Sequence, residues 1–210
     1  MIRVLIADDH TIVRHGLRQI LNVDQDIATV GEAQNGNEVL EFLAANKVDV
    51  TVLDISMPGR NGLETLKEIH RLHPNVQVVV LSMHPKDQYA VRILKAGASA
   101  YVSKESAPEE LVHAIRKAFT GHKYITPDIA EMLANYVQQG EMDEPHRSLT
   151  DRELEVFSMI AAGKSISQIA NELNLSIKTI STYKTRITEK TGLASTADIT
   201  RYSIERGLLS

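Results

Sequence analysis

Five short apolar runs, at residues 2–7, 27–31, 48–53, 76–81 and 98–102, alternate with stretches of helical periodicity at 11–21, 35–45, 62–72, 86–96 and 107–120. No other feature of the chain restricts its fold as far. Successive strands joined through helices are laid side by side in parallel, because a parallel crossover needs a dozen residues or more. The run Val48-Asp49-Val50-Thr51-Val52-Leu53 is apolar and β-branched with little alternation, as a strand buried on both faces must be. The expected architecture over the first 120 residues is therefore α/β, an open, doubly wound parallel sheet with helices on both faces.

In such a sheet the carboxyl ends of the strands share one rim, and ligands bind there. The central run closes on Asp54 and passes at once into the turn residues Ile55-Ser56-Met57-Pro58-Gly59. The first strand ends in Asp8-Asp9, the fourth in Ser82, and the fifth leads through Ser103 to Lys104. Three carboxylates in one cleft repel one another unless a cation sits among them. Oxygen ligands select a hard ion, and Mg²⁺ is the one that keeps several waters while bridging a phosphoryl group. Asp54 is then placed to attack a phosphoryl donor and form an acyl phosphate, with Mg²⁺ and Lys104 neutralising the equatorial oxygens and Ser82 donating a hydrogen bond to one of them. Taken singly, each residue has a plainer role, since an Asp behind a strand caps helices or forms turns and a lone Lys is a solvated charge. Their joint placement on four strand ends is what points to chemistry.

On these residues (Asp8-Asp9, Asp54 with Met57-Pro58 and Gly62, Ser82, and Lys104) the first 120 residues resemble the receiver domain of two-component response regulators. The resemblance implies a flavodoxin-like fold with strand order 2-1-3-4-5 and phosphorylation of Asp54 by a sensor histidine kinase. It implies that Asp9 and the backbone carbonyl of Ser56 ligate Mg²⁺ directly, with Asp8 acting mainly through water, and that Ser82 and Tyr101 form the switch. In that switch the hydroxyl moves to the phosphoryl group and the ring turns inward behind it. Glu105 departs from the pattern, since many receivers have proline after the lysine. Met83 and His84, beside Ser82, are positioned to shape the access of hydrolytic water, with His84 read as a surface histidine.

Beyond residue 121 the character changes. Thr126-Pro127 opens a further helical pattern that runs into Gln138-Gln139-Gly140-Glu141-Met142-Asp143-Glu144-Pro145, a polar, acidic stretch broken by Gly and Pro. Residues 122–147 read as a helical and flexible linker. Residues 148–210 read as an all-α domain of four helices. Thr150 to Glu153 forms a capping box, 165–173 a short helix, Asn174-Leu175 a tight turn, and Ser176 caps a helix to about Thr191, stopped by Gly192. The apolar positions Ile166, Ile169, Ala170, Leu173, Leu175, Ile177, Ile180 and Ile187 are expected to pack this pair. On the opposite side Lys178, Ser181, Thr182, Thr185 and Arg186 share one face, with no acid before Glu189. A major groove accepts such a helix, its short side chains at base edges and its cations on flanking phosphates.

Leu149 to Glu153, Gly163, Ile169-Ala170, Leu175-Ser176, Lys178-Thr179-Ile180 and the run Thr182-Tyr183-Lys184-Thr185-Arg186 resemble the LuxR-type helix-turn-helix. With the receiver, the whole chain is similar to the NarL/FixJ class of response regulators. That resemblance makes Ser181, Thr182 and Thr185 base-edge candidates and Lys178, Thr179, Lys184 and Arg186 phosphate contacts. It implies a homodimer, formed on phosphorylation, on paired half-sites of promoter DNA, with RNA polymerase as a further partner. Members commonly carry lysine where Ser181 stands.

Composition limits the alternatives. No cysteine is present, which removes disulfides, thiolate metal sites and Cys nucleophiles. Residues 148–210 carry 8 basic and 7 acidic side chains, so any DNA affinity rests on placement rather than bulk charge. No signal-peptide pattern and no long apolar run appear, and the expectation is a cytoplasmic protein without a membrane span. A dedicated aspartyl-phosphate phosphatase would need a second acid two residues beyond the nucleophile, where Ser56 stands. Nor does the C-terminal segment hold any His for a hydrolase. The expectation is a phosphoacceptor with slow self-dephosphorylation rather than an enzyme. A receiver serving only as a dimerisation module is the remaining alternative.

Overall fold

All five residues of the strand Val50–Asp54 are buried, so it must be flanked on both edges and covered on both faces. In the structure, a computed structural model, it is flanked in this way. The structure describes residues 1–57, 60, 62–82, 88–138, 145–173, 175–206 and 208. The strands β1 (Ile2–Ala7), β2 (Ile27–Ala33), β3 (Val50–Asp54), β4 (Gln77–Ser82) and β5 (Ala100–Ser103) form one sheet in the order β2-β1-β3-β4-β5. All pairings are parallel. Leu53 lies opposite Ala7, Asp54 opposite Leu81, and Ser82 opposite Ser103, so the strands end nearly level. The chain divides into two compact units, residues 1–131 and 132–210.

One face of the sheet (Ile2, Val4, Ile6, Val50, Val52, Val79, Leu81, Ala100, Val102) packs on Leu17 and Leu21 of α1 (Thr11–Asn22) and on Leu111, Ala114, Ile115 and Ala118 of α5 (Ala107–Phe119). The helices α2 (Gly36–Ala45), α3 (Gly62–Leu72) and α4 (Gln88–Lys95) bury Val39, Leu43, Leu63, Leu66, Ile69, Ala90 and Ile93, outside that cluster. After α5 the chain returns to the sheet. Tyr124 forms a single bridge to Ala100, its amide donates to the Ser99 carbonyl, and α6 (Pro127–Gln138) follows.

The run Ser106-Ala107-Pro108-Glu109 reads as a capping box at the start of α5, but that cap is absent. Ser106 has αR backbone angles rather than the extended angles of a capping residue, so its hydroxyl donates back to the Ser103 carbonyl. The second unit keeps the expected caps on α7 (Asp151–Ala161) and α9 (Ile177–Thr191), and α8 (Ile166–Glu172) and α10 (Thr196–Glu205) are capped as well. Three of these open with capping boxes: Thr150 with Glu153, Ser165 with Gln168, and Ser195 with Asp198. Ser176 accepts from the Thr179 amide to start α9, and Gly192, at φ 71°, ends it in the left-handed region. A short 3-10 turn at Pro145–Ser148 precedes α7.

The packing expected of Ile177 does not occur. Ile169, Ala170, Leu173, Ile180 and Ile187 are buried, but Ile177 is 56% exposed. As the first residue of α9 it stands about 70° around the helix from the Ile180–Ile187 stripe. The expected turn at Asn174, the core of the linker at 139–144, and Met83 and His84 lie outside the described residues.

Candidate functional site

The level strand ends bring the expected pocket together. Asp54, the last residue of β3, is 1% exposed, and Asp8, just past β1, is fully buried. Lys104 reaches between them from the end of β5. Its Nζ is 2.8 Å from Asp54 Oδ2 and 2.7 Å from Asp8 Oδ2. The Ser56 amide donates to Asp54 Oδ1 at 3.1 Å, and the His10 amide donates to Asp8 Oδ1 at 2.8 Å. The Lys104 amide donates to the Ser82 carbonyl, which joins the ends of β4 and β5. Ser82 is fully buried, and Tyr101 is 1% exposed, its ring already inside. The Glu105 amide donates to Ser103 Oγ at 3.2 Å, a bond that the proline of many receivers could not make.

Two buried carboxylates, Asp8 and Asp54, share the one Lys104 ammonium, and this shapes the protonation of Asp54 and Lys104. Burial raises the Asp54 carboxyl above its ordinary value; Lys104 opposes this and Asp8 adds to it. Burial also works against the Lys104 ammonium, but Asp54 and Asp8 outweigh it and hold the amine above its ordinary value. Both groups hold their protons more tightly, Asp54 chiefly because it is buried and Lys104 because two carboxylates flank it. Two buried oxygens, Asp8 Oδ2 and Asp9 Oδ1, are met by Lys104 and His10 respectively but by no aligned hydrogen bond. One ligand atom each from Asp8, Asp9, His10 and Asp54 lies within 4.8 Å of the others. Such a donor set fits a hard divalent cation.

Two features escaped the expectations. His10 Nδ1 lies 3.2 Å from Asp8 Oδ1 and 2.9 Å from Asp9 Oδ1, so the imidazole belongs to the cluster. Arg14, 5% exposed, donates through Nη1 to the Asp8 carbonyl at 2.7 Å and through Nε to Glu32 at 3.1 Å. Its signal was available, because it is the charged member of the apolar stripe Arg14, Leu17, Leu21 on α1. Gly62 also has a reason. A Cβ there would lie 2.4 Å from the Asp54 carbonyl oxygen and 2.5 Å from Ile55 Cα, so only glycine lets α3 start against the end of β3.

In the second unit Lys178, Ser181, Thr182, Thr185 and Arg186 are all exposed on α9. Thr179 and Lys184 are half-buried. The Thr179 hydroxyl is paired with Ser176 at 2.8 Å, and Lys184 Nζ lies 3.5 Å from Thr196 Oγ1 on α10.

A family model described as the response regulator receiver domain matches residues 4–116, and one for bacterial regulatory proteins of the luxR family matches residues 147–203. The chain belongs to the response regulators, in the NarL/FixJ class that joins a receiver to a LuxR-type helix-turn-helix. Among its relatives, the response regulator UvrY of Escherichia coli is 38% identical over 209 residues, 99% of this chain and 96% of that protein. The response regulator GacA of Pseudomonas aeruginosa is 37% identical over 210 residues, 100% of this chain and 98% of that protein. A solved structure of RcsB from Salmonella enterica serovar Typhimurium, bound to promoter rprA in the presence of phosphomimetic BeF3-, superposes with a TM-score of 0.65. It is 29% identical and covers 96% of this chain and 97% of that one. The protein is thus a two-component response regulator of transcription with a LuxR-type DNA-binding domain. Among the described residues no helix is long and apolar enough to cross a membrane.

Proposed function

We propose that Asp54 accepts a phosphoryl group from the phosphohistidine of a sensor kinase and that this controls dimerisation and promoter binding. The observation that carries the reading is Lys104 Nζ held at 2.8 Å and 2.7 Å between Asp54 and Asp8, at the ends of three different strands. A carboxylate oxygen of Asp54 attacks phosphorus, the new O–P bond forms as the P–N bond breaks, and the histidine ring of the kinase leaves with the electron pair. Asp9, Asp54 and the Ser56 carbonyl would hold Mg²⁺ directly, with Asp8 acting mainly through water. When bound, Mg²⁺ neutralises the acidic cluster and the oxygens of the transferring group. Lys104 then turns from the Asp54 carboxylate to a phosphoryl oxygen, and the Ser82 hydroxyl donates to another. Tyr101, behind Ser82, keeps the ring inward in the phosphorylated state. Hydrolysis of the acyl phosphate is slow in this reading, for Asp54 has no dedicated acid two residues on.

The working division is a receiver at 1–121, a linker at 122–147 and a DNA-binding domain at 148–210. Phosphorylation shifts a two-state receiver and, through the linker, pairs two copies on adjacent half-sites of promoter DNA. Ser181, Thr182 and Thr185 face base edges, and Lys178, Thr179, Lys184 and Arg186 face phosphates. The protein works in the cytoplasm, where promoter DNA and RNA polymerase are found.

The test is intact mass after incubation with acetyl phosphate and Mg²⁺, on wild type and Asp54→Ala, with DNA binding on the same samples. One added phosphoryl group, absent from the variant and accompanied by tighter binding, is expected. Equally tight binding with no added mass would reduce the receiver to a scaffold.

A further inference from the structure

The exposed face of α9 bears more methyl surface than its sequence of hydroxyls and cations implies. Ile177 is 56% exposed at the first position of the helix. Thr182 Oγ1 donates to the Lys178 carbonyl at 3.0 Å, and Thr185 Oγ1 donates to the Ser181 carbonyl at 3.1 Å. Both hydroxyl hydrogens are therefore committed to the helix backbone, a local bond that Thr makes readily at i−4. What each side chain has left for a partner is its γ-methyl and an acceptor oxygen. Around the helix axis Thr182 and Thr185 stand about 60° apart on the side opposite the buried Ile180–Ile187 stripe, and Ile177 flanks Thr185 by about 80°.

We infer that Ile177 and the γ-methyls of Thr182 and Thr185 read the C5-methyl groups of thymines in the major groove. The inference deepens the DNA-binding reading of the same helix and rests on it. The occupant is identified by its surroundings. Lys178 and Arg186, both exposed, lie on the same side of the helix as the two threonines and give it positive charge, which suits a groove lined by phosphates. Within that groove thymine is the base that offers an apolar edge, and Thr methyls are among the groups that contact it. The N-terminal end of a recognition helix, where Ile177 stands, is the part that reaches base edges. A donor-based readout by Thr182 or Thr185 would first require breaking its bond to the helix.

The test uses the full chain, treated with acetyl phosphate and Mg²⁺, to select binding sites from random-sequence duplex DNA. Each thymine of the selected site is then replaced by deoxyuridine, which removes only the methyl group. Uracil is expected to weaken wild-type binding about fourfold at each contacted position, what the burial of one methyl is worth. Ile177→Ala, Thr182→Ser and Thr185→Ser should each lose the discrimination at one position. Thr182→Val and Thr185→Val keep the methyl, remove the hydroxyl and should retain it. Uracil tolerated at every position, or Val variants that lose discrimination as the Ser variants do, would overturn the inference while leaving DNA binding standing. Failure to enrich any sequence would overturn the DNA-binding reading and this inference together.

Discussion

Arg14→Met tests the part of the pocket that lies behind the carboxylates. Methionine keeps an unbranched apolar stem of similar length and removes the charge. The Asp8 carbonyl then loses a charge-assisted bond of 2.7 Å in a buried setting, and nothing else described replaces it. Such a loss costs about 1.5–3 kcal/mol. Thr11, whose hydroxyl accepts from Nη2 at 3.3 Å, is exposed, and Glu32 has a side chain 33% exposed; both rehydrate and add little. The net expectation is about 2 kcal/mol of lost stability, or a fall of about 1 M in the urea midpoint at a slope of about 2 kcal/mol/M. Because the Asp8 carbonyl lies in the turn that presents Asp8 and Asp9, Mg²⁺ affinity should also weaken, by about tenfold, the scale seen when partners behind metal ligands are removed. Urea unfolding of the full chain in EDTA reads the first effect, and Mg²⁺-dependent thermal stabilisation reads the second. Hydrogen exchange in peptides covering β1 and β2 assigns the loss to the receiver. An unchanged midpoint together with an unchanged Mg²⁺ response would refute the argument.

Two further perturbations follow from the packing and the caps. Gly62→Ala puts a methyl against the backbone of Asp54 and Ile55, which cannot rotate away as a side chain could. We expect about 1–3 kcal/mol of destabilisation and slower labelling by acetyl phosphate, with wild-type melting and labelling as the refuting result. Glu153, 2% exposed, is pushed up by burial, but its bonds from Lys190 and from Thr150 prevail and hold it below the usual carboxylate value. Its stabilising contribution is therefore present above the ordinary glutamate range and lost as pH falls through its lowered value. Glu153→Gln should flatten that acid limb in denaturation of residues 132–210, and an unaltered pH profile would count against it.

Much of the receiver was legible because a parallel sheet turns sequence order into place. Once five strands each lead into a helix, Asp8-Asp9, Asp54, Ser82 and Lys104 must share a rim, and no long-range pairing has to be guessed. The caps of α7 and α9 were equally legible, since Thr150 and Ser176 act within three residues of themselves. What stayed hidden depended on angles and on partners distant in sequence. Ser106 has the composition of a cap but αR angles, which cannot be seen in composition. Ile177 looked like core because it is apolar, yet its angular position on α9 turns it outward. Arg14 stood in plain view on an apolar stripe, but two of its partners, the Asp8 carbonyl and Glu32, are fixed only by the turn after β1 and by the β1–β2 pairing.

The position of the strands in the sheet divides the pocket mechanically. Asp54 hangs from β3, which is bonded on both sides, and Asp8 follows β1, which is bonded on both sides as well. Lys104 follows β5, a border strand with a ladder on one side only. Across its outer side, among the described residues, lies the single bridge from Ala100 to Tyr124. A pull on Lys104 thus meets rigid neighbours toward the centre and one stitch toward the margin. That stitch sits three residues ahead of the first residue of α6, so the compliant side of the pocket is also the side from which the chain departs toward its DNA-binding half.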